Sequence, residues 1–378
     1  MTVHFRCRSC GFRHDEPLPD VDKEVIYLDQ FAFSELFKLE AGKLQAAHPL
    51  YGFWSELHAT MRQCLLLQQA VFPSSDIHSG ETLVSREHQS IREAYERLGG
   101  DISFLDTRQV EEIQVGECFT AYRSNRLPQF DTSVDRVLKG RRNVWLPNIR
   151  VVVNTDYSVF SGAFRKDVDE TAQSMASLVQ RWREQKPDFN SVLHAELATY
   201  PSIRLSALQL VHDRFDHAQQ PRDPTDMLFL GGNQYIREFT SLCRAYEADG
   251  LSPDEADLEV VRFWRWRENL TQPYHRTSAY LFAALSRKIV AGQRKDPTRG
   301  FVNDVRAIAA YGPYVDAMFL DKECAALLSE SPLREELALK ARVFSLNNRA
   351  AFLEYLRGLS AAASDETRRY ATMIYGLK

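Results

Sequence analysis

No stretch of this sequence is apolar for long enough to cross a membrane. The hydrophobic runs fall well short of the roughly 20 residues that a membrane-spanning helix needs. The N-terminal segment MTVHFRCRSC also lacks the hydrophobic centre of a secretory signal peptide. We therefore predict a cytoplasmic protein without a membrane partner.

The sequence also carries little net charge. Its 47 lysines and arginines and its 51 aspartates and glutamates give a formal net charge of −4 over 378 residues. A protein that binds nucleic acid through its overall charge is strongly basic, so this balance excludes that class. Any nucleic-acid partner must therefore be held by a local basic surface.

A disulfide framework is not expected. The chain has six cysteines, and four of them (Cys64, Cys118, Cys243 and Cys324) are scattered through mostly apolar helical contexts. Such spacing is typical of reduced intracellular cysteines rather than of paired ones. Cys7 and Cys10 are the exception, because they form a Cys-x-x-Cys pair.

Several common catalytic motifs are missing. The segment LGGN at 230–233 matches neither of the glycine-rich fingerprints that bind nucleotide phosphates. The segment SSDIHSGE lacks the Gly-x-Ser-x-Gly turn of the α/β-hydrolases. We also find no internal repeat and no low-complexity tract, so any function must be sought in other residues.

What the sequence does contain is an α/β pattern at both ends. A buried strand is predicted at 25–28, a helix at about 51–68, a second short strand at 71–72, and a helix from Ser75 or Asp76 to Gly99-Gly100. Near the other end, 302–311 predicts a helix and 317–320 a buried strand. A further helix, the strand ARVFSL and a final helix around RAAFLEYLRGL follow. Strands that alternate with helices favour a parallel sheet flanked by helices.

The middle of the chain is different. Segments such as TAQSMASLVQRWREQ have helical periodicity, and only NIRVVVNT at 148–155 is strongly strand-like. We therefore predict a large, mostly helical insertion. The predicted organisation is an N-terminal Cys/His segment at 1–21, a first core part at 22–100, the insertion at 101–273 and a second core part at 274–378.

Two predicted strands end in aspartates, Asp29 and Asp321. In an open parallel α/β sheet, functional groups collect beyond the carboxyl ends of the strands, so both would lie at that edge. Glu81, in the helix after the second strand, and Asp304, in the first turn of a later helix, are expected at the same edge. Four carboxylates in one pocket repel one another strongly unless cations neutralise them.

Magnesium or manganese suits such a site, because hard divalent cations prefer oxygen ligands and keep several waters. A cation held there can activate a water and stabilise the leaving oxygen of a phosphodiester. This is the chemistry of a metal-dependent nuclease, which needs neither a Ser-His-Asp nor a Cys-His set.

At these residues the sequence resembles the PIN-like nuclease family. The resemblance lies in four segments: VIYLDQ, FPSSDIHSGETL, NDVRAIAAYGPYVDAMFLDKE and ARVFSLNNRAAFLEYL. It covers about half of the chain, around 22–98 and 274–378. The resemblance implies a Rossmann-like sheet and RNA, or less often DNA, as the substrate.

The resemblance also implies roles for single residues. Asp29 takes the place of the family's first-strand aspartate, and Glu81 that of its helical glutamate. Asp304 falls where the family has an aspartate that opens a helix, and Asp321 where it has one that closes the next strand. Family members are usually much shorter, and their first aspartate is often followed by Thr or Ser, whereas this chain has Gln30.

Each of the four carboxylates also has a structural explanation. Asp29 could be a turn or N-cap residue and Glu81 a solvated residue on a helix face. Asp304 could be an ordinary N-terminal acid that the helix dipole favours, and Asp321 a turn at a strand end. Four acids at corresponding positions of a repeating pattern nevertheless favour a metal site.

Three further polar residues are assigned supporting roles. Asp316 lies five residues before Asp321, so the two would point to opposite faces of an extended segment. Asp76 and His78 are expected to cap and orient the helix that carries Glu81.

A basic segment precedes Asp304. A nuclease needs cations beside its acids to hold the substrate backbone, and phosphate contacts of this kind do not depend on sequence. We predict Arg294, Lys295 and Arg299 as substrate contacts, and the alternative is a solvated loop. The full cluster consists of Arg287, Lys288, Arg294, Lys295 and Arg299.

The aromatic and basic segment RFWRWR at 262–267 has two interpretations. Phe263, Trp264 and Trp266 could stack on bases of a nucleic acid. We favour the other interpretation, in which this aromatic face packs inside a helical core.

The N-terminal segment HFRCRSCGFRH places His4, Cys7, Cys10 and His14 within a short stretch. A Cys-x-x-Cys followed by glycine is typical of a zinc knuckle, and two histidines could complete a tetrahedral site. A full zinc ribbon needs a second Cys-x-x-Cys, which this chain lacks. The alternative is a frayed N-terminus with reduced thiols.

The sequence thus predicts an α/β, Rossmann-like (PIN-like) core, split by a helical insertion, that hydrolyses phosphodiester bonds of RNA or DNA with magnesium or manganese. The alternatives are an inactive PIN-like module that binds nucleic acid or protein, and a metal-dependent phosphatase of small molecules.

Overall fold

The computed structural model describes residues 2–6, 9–83, 88–100, 102–146, 161–216, 233–337 and 339–377. The chain forms two compact units. The first comprises Met1–Thr107, Thr132–Ser177 and Pro297–Lys378, and the second comprises Arg108–Asp131 and Leu178–Asp296. The division at 296 differs from the predicted one at 273, because the helix Pro273–Val290 packs along the helix Phe189–Asp216 of the second unit.

Short strands and many helices make up the described residues. The strands are β1 Thr2–Arg6, β2 Arg13–Pro17, β3 Glu24–Leu28, β4 Ala70–Val71, β5 Ser103–Phe104, β6 Leu138–Lys139, β7 Ala317–Leu320 and β8 Arg342–Ser345. The helices are α1 Gln30–Glu40, α2 Tyr51–Leu66, α3 Asp76–Leu83, α4 His88–Gly99, α5 Thr107–Arg123, α6 Ser161–Gln185, α7 Phe189–Asp216, α8 Gln234–Glu247, α9 Pro253–Arg265, α10 Pro273–Val290, α11 Phe301–Tyr311, α12 Lys322–Ser329, α13 Leu333–Glu336, α14 Arg349–Ala362 and α15 Asp365–Tyr375.

Four of the strands form a parallel sheet in the order β4-β3-β7-β8. Leu28 pairs with Phe319, and Leu320 pairs with Ser345. The predicted α/β class, with a parallel sheet flanked by helices, is confirmed. The sheet joins the first and the last third of the chain, because β3 and β7 are neighbours although they lie far apart in sequence.

The two central strands are apolar from Val25 to Leu28 and from Ala317 to Leu320, because both of their faces are covered there. Val25, Ile26 and Leu28 are fully buried, as is every residue of β7. Phe319 packs against Phe352 of α14, with ring centroids 4.8 Å apart, and helices α1 and α2 complete the same core. The core therefore fixes the strands whose ends carry Asp29 and Asp321.

Some predicted elements differ from those observed. A further helix, α15, follows α14. Ser364 caps its start by accepting a hydrogen bond from Thr367 N. Two small antiparallel pairs, β1 with β2 and β5 with β6, were not predicted. The helix predicted from Ser75 to Gly99 corresponds to α3 and α4. The strand predicted at 148–155 lies outside the described residues.

The second unit has a helical core that contains a buried arginine. Helices α7, α8, α9 and α10 pack on one another. Arg204 on α7 is 5% exposed, lies 3.8 Å from the ring centroid of Tyr200, and forms ion pairs with Glu111 and Glu238 at 2.6 and 2.8 Å. A buried cation needs such partners, since an unpaired one would cost several kcal/mol.

The aromatic segment at 262–267 belongs to this helical core. Phe263 and Trp264 are fully buried, and Trp266 packs against them from the edge. The packing interpretation of RFWRWR is therefore confirmed. Along the described part of the chain, no helix is both long and apolar enough to span a bilayer.

Candidate metal centre

Asp29 and Asp321 lie side by side at the carboxyl end of the sheet. They follow β3 and β7, which are adjacent parallel strands, so both carboxylates come to the same edge. The backbone N–H of Asp321 donates to Oδ2 of Asp29 at 3.2 Å, and the N–H of Asp29 donates to the carbonyl of Phe319 at 3.0 Å. The sheet register therefore fixes the position of the two acids.

The two aspartates use their oxygens differently. Asp29 occupies the N-cap position of α1, but its side chain makes no capping hydrogen bond there, and the residue is only 7% exposed. Asp321 caps α12, since its Oδ1 accepts from Cys324 N at 2.6 Å. The capping explanation thus accounts for one oxygen of Asp321, and it leaves the buried charge of Asp29 unexplained.

Glu81 and Asp304 complete the group. Glu81 lies near the end of α3, and its Oε1 accepts from Asn303 Nδ2 at 2.9 Å, which places it beside the first turn of α11. A Cβ placed on Gly300 would lie 4.0 Å from Glu81 Oε1 and 3.9 Å from Asp304 Oδ2. The two carboxylates therefore flank the same glycine, which leaves space between them.

Burial and the charges of neighbouring acids act on two of these carboxylates, Asp29 and Asp304. Burial raises the pKa of Asp29, and the charges of Asp321 and Glu81 raise it further. Burial also raises the pKa of Asp304, with Asp29, Asp321 and Glu81 as the next causes. Burial raises the pKa of Glu81, and the hydrogen bond from Asn303 opposes this rise only in part. Each shift means that the folded chain disfavours the ionised form of these groups.

No basic side chain relieves this repulsion within the described ranges. Among the described residues, none of the four acids forms an ion pair within 4.0 Å of a lysine, arginine or histidine. A divalent cation is the partner that such a set of oxygens fits, because it neutralises the charges and takes carboxylate ligands. The residues present therefore fit magnesium or manganese.

A thiol that the sequence analysis did not predict borders the same acids. Single donor atoms of Asp304, Asp321 and Cys324 all lie within 4.8 Å of one another, and Cys324 is fully buried. Burial and the neighbouring acids raise the pKa of the Cys324 thiol well above its usual range. A protonated thiol is a poor metal ligand, so the carboxylate oxygens remain the principal donors.

Two buried hydrogen-bond sets hold the helices that carry these acids. His78 accepts from Ser75 N at 3.0 Å through Nδ1 and donates to the carbonyl of Leu28 at 2.8 Å through Nε2. Burial lowers the pKa of His78 to about 4, so the ring is neutral at physiological pH. His78 therefore ties the start of α3 to the end of β3, which agrees with its predicted supporting role.

The second set involves the residues that follow Asp29 and Glu81. Gln30 Nε2 donates to Thr82 Oγ1 at 3.3 Å, Thr82 and Tyr95 share a hydrogen bond of 2.9 Å, and the Tyr95 hydroxyl donates to Gln30 Oε1. Gln30, the residue at which the chain departs from the family pattern, thus connects the two acid-bearing segments.

Asp316 and Asp76, to which the sequence analysis assigned supporting roles, have structural partners instead. Asp316 accepts from Val25 N at 2.8 Å and pairs with Lys340 at 2.9 Å. Asp76 accepts from the Thr107 hydroxyl at 3.0 Å and from the Tyr311 hydroxyl at 3.1 Å. Both lie outside the group of four.

Both histidines of the N-terminal Cys/His set lie on the β1–β2 hairpin. In the β1–β2 hairpin His4 pairs with Asp15, and His14 pairs with Phe5. Neighbouring residues of a strand point to opposite faces, so the two histidines lie on opposite sides of the hairpin. Cys10 is exposed, and Cys7 lies outside the described residues. Zinc binding there stays a prediction.

The predicted substrate contacts fall in both units. Arg299 directly precedes Gly300, and its guanidinium lies 3.2 Å from Asp169. Arg294 and Lys295 are exposed and belong to the second unit, where the carbonyl of Arg294 accepts from Arg183 at 3.3 Å. A role for these three cations in substrate binding stays a prediction.

Comparison of the chain with protein families, curated proteins and solved structures found no match.

Proposed function

We propose that this protein is a metal-dependent nuclease of the PIN-like type, which hydrolyses phosphodiester bonds of RNA or, less often, DNA. The observation that carries the proposal is the group formed by the buried Asp29 and the half-buried Glu81, Asp304 and Asp321 at the carboxyl end of a parallel sheet. In the described chain these four acids have no cationic side chain as a partner. Structural carboxylates of the same chain, such as Asp316, do have one.

The proposed roles follow from the geometry. Asp29 and Asp321 would hold magnesium or manganese from the strand ends, and Asp304 and Glu81 from two helices. When bound, such a cation activates a water and neutralises charge that develops on the phosphate. Gly300 leaves room between Glu81 and Asp304 for a ligand. Asn303, His78 and Gln30 would act as positioning residues.

RNA is the favoured substrate because of the family resemblance, which includes the segments that carry the four acids. Arg299, next to Gly300, would contact the phosphate backbone. Because such contacts are to phosphates, the affinity for RNA is expected to fall as the salt concentration rises.

A cleavage assay tests the proposal. Purified protein is incubated with labelled single-stranded RNA and DNA, with magnesium, manganese or a chelator. We expect metal-dependent cleavage that Asp29→Asn and Asp321→Asn abolish and that Asp365→Asn, at the exposed start of α15, leaves unchanged.

A wild-type protein as inert as its variants, across substrates and both metals, would refute the activity. Metal-independent retention of RNA without cleavage would instead support the inactive binding module. Release of phosphate from small phosphomonoesters alone would support the phosphatase.

A further inference from the structure

A pocket lies next to α12, the helix that Asp321 caps. Its volume is about 490 Å³, and it is bordered by α12, the segment that carries α13, and the edge strand β8. Ligand pockets commonly have volumes of roughly 300–1,000 Å³, so this space is large enough for one nucleotide.

The position of the pocket follows from the sheet. Ser345, which lines it, pairs with Leu320, the residue directly before Asp321. Adjacent strands are about 4.8 Å apart, so the polar end of the pocket lies one strand away from the acids and at the same edge. Helix α12 begins at Asp321 and presents Ala325 and Leu328 to the pocket. A strand of nucleic acid bound at the acids would therefore reach it with a neighbouring residue.

The lining suits a base rather than a cation or a simple anion. Ala325, Leu328, Leu333 and Val343 give an apolar wall, and Ala325 and Val343 are only half-buried, so their surfaces are open to a ligand. Aliphatic side chains of this kind can cover the apolar face of a base and remove it from water. No carboxylate belongs to the lining within the described residues, in contrast to the neighbouring acids.

Two polar side chains at the rim complete this chemistry. Asn347 is exposed, and its side-chain amide makes no hydrogen bond to any described residue, so it can donate to and accept from the edge of a base. Arg334 is the one charged residue of the lining and lies 2.7 Å from Glu335 at the surface. Guanidinium groups stack on bases and pair with phosphates.

We propose that this pocket binds one base of a single-stranded nucleic acid whose adjoining phosphate lies at the group of four acids. The proposal rests on the proposed nuclease function for its substrate class. It adds a subsite that holds the strand in place by a base, whereas the acids and cations act only on its backbone.

A binding experiment without metal tests the subsite independently of cleavage. A short fluorescein-labelled single-stranded RNA and the same strand without bases are titrated with the full chain in chelator, and anisotropy is measured. We expect the base-bearing strand to bind about tenfold more tightly than the abasic one, because the pocket removes apolar surface of one base from water. Asn347→Ala and Ala326→Leu, which fills the pocket, should each reduce this ratio several-fold.

Arg62→Ala is the control, because Arg62 is an exposed residue of α2 outside the pocket lining. It should leave the ratio unchanged, and the thermal midpoints of all variants should show that they fold. Equal binding of both strands by the wild type, or an unchanged ratio in Ala326→Leu, would overturn the subsite. Base-dependent binding without metal-dependent cleavage would support the subsite and refute the nuclease, so the two failures are distinguishable.

Discussion

The carboxylate of Asp304 lies among three others, and its raised pKa means that ionisation works against folding. Asp316, by contrast, accepts a hydrogen bond from Val25 N and forms an ion pair with Lys340. At the scale of single residues, these two aspartates therefore have opposite relations to stability. Residues that serve function are commonly placed at a cost to the fold.

We predict that Asp304→Asn stabilises the metal-free protein by roughly 1–2 kcal/mol at neutral pH. The pKa of Asp304 is raised to about 10, so folding must add a proton to this carboxyl at neutral pH, and asparagine needs none. Asp316→Asn is the matched control and should destabilise, since it weakens the pair with Lys340. Urea denaturation in chelator measures both. A loss of stability in Asp304→Asn would show that the acid is structural.

Gly300 offers a second test at the same scale. Its φ of −79° suits alanine, and the added methyl would lie within 4.0 Å of Glu81 Oε1 and Asp304 Oδ2. We predict that Gly300→Ala weakens manganese binding by about tenfold, as changes around metal ligands typically do, while the fold is retained.

Gly358→Ala is the control for this substitution, because a Cβ there meets nothing within 4 Å. It should leave manganese affinity unchanged. An unaltered affinity in Gly300→Ala would place the cation elsewhere than between these two acids.

The sequence allowed some of these residues to be found and not others. Asp29 and Asp321 were predictable because each directly follows an apolar strand, and parallel strands bring such residues to one edge. Gly300, Asn303 and Cys324 were not, because their roles depend on how α11 and α12 pack beside the sheet. No spacing in the sequence reports that packing.

At the scale of elements, periodicity predicted the strands of the sheet because central strands are continuously apolar. It did not predict β1, β2, β5 and β6, whose residues are mixed in polarity. The ends of helices depend on single capping contacts such as that of Ser364, which hydrophobic patterns do not record.

The helices of the second unit carry a pH-dependent contact. His275 on α10 is stacked on Tyr200 of α7, with ring centroids 3.9 Å apart, and is 7% exposed. Its Nε2 lies 3.0 Å from the carbonyl of Leu197. Burial lowers the pKa of His275 to about 4.

The His275 imidazole takes up a proton at about pH 6.5 in the unfolded chain and only near pH 4 in the folded chain. The stability that the neutral ring contributes is therefore fully present above about pH 6.5 and is lost as the pH falls towards about 4. We predict that His275 contributes a loss of roughly 2 kcal/mol between about pH 7 and pH 5. Urea denaturation of the wild type and His275→Gln at both pH values measures it. An equal loss in the two proteins would contradict this assignment.

At the scale of the whole molecule, segments far apart in sequence supply the site. Asp29 and Glu81 come from the first third of the chain, and Asp304 and Asp321 from the last. The four were predicted to meet because both ends show the same α/β pattern. The extent of the intervening unit was not predicted in full, since periodicity alone does not tell whether α10 packs on the sheet or on α7.

The central claim is that these four acids bind a divalent cation. Isothermal titration of the metal-free full chain with manganese tests it most directly. The account predicts saturable binding that Asp29→Asn and Asp321→Asn each weaken by at least about tenfold and that Asp365→Asn leaves unchanged. Absence of binding by the wild type, or equal affinity in all four proteins, would contradict it.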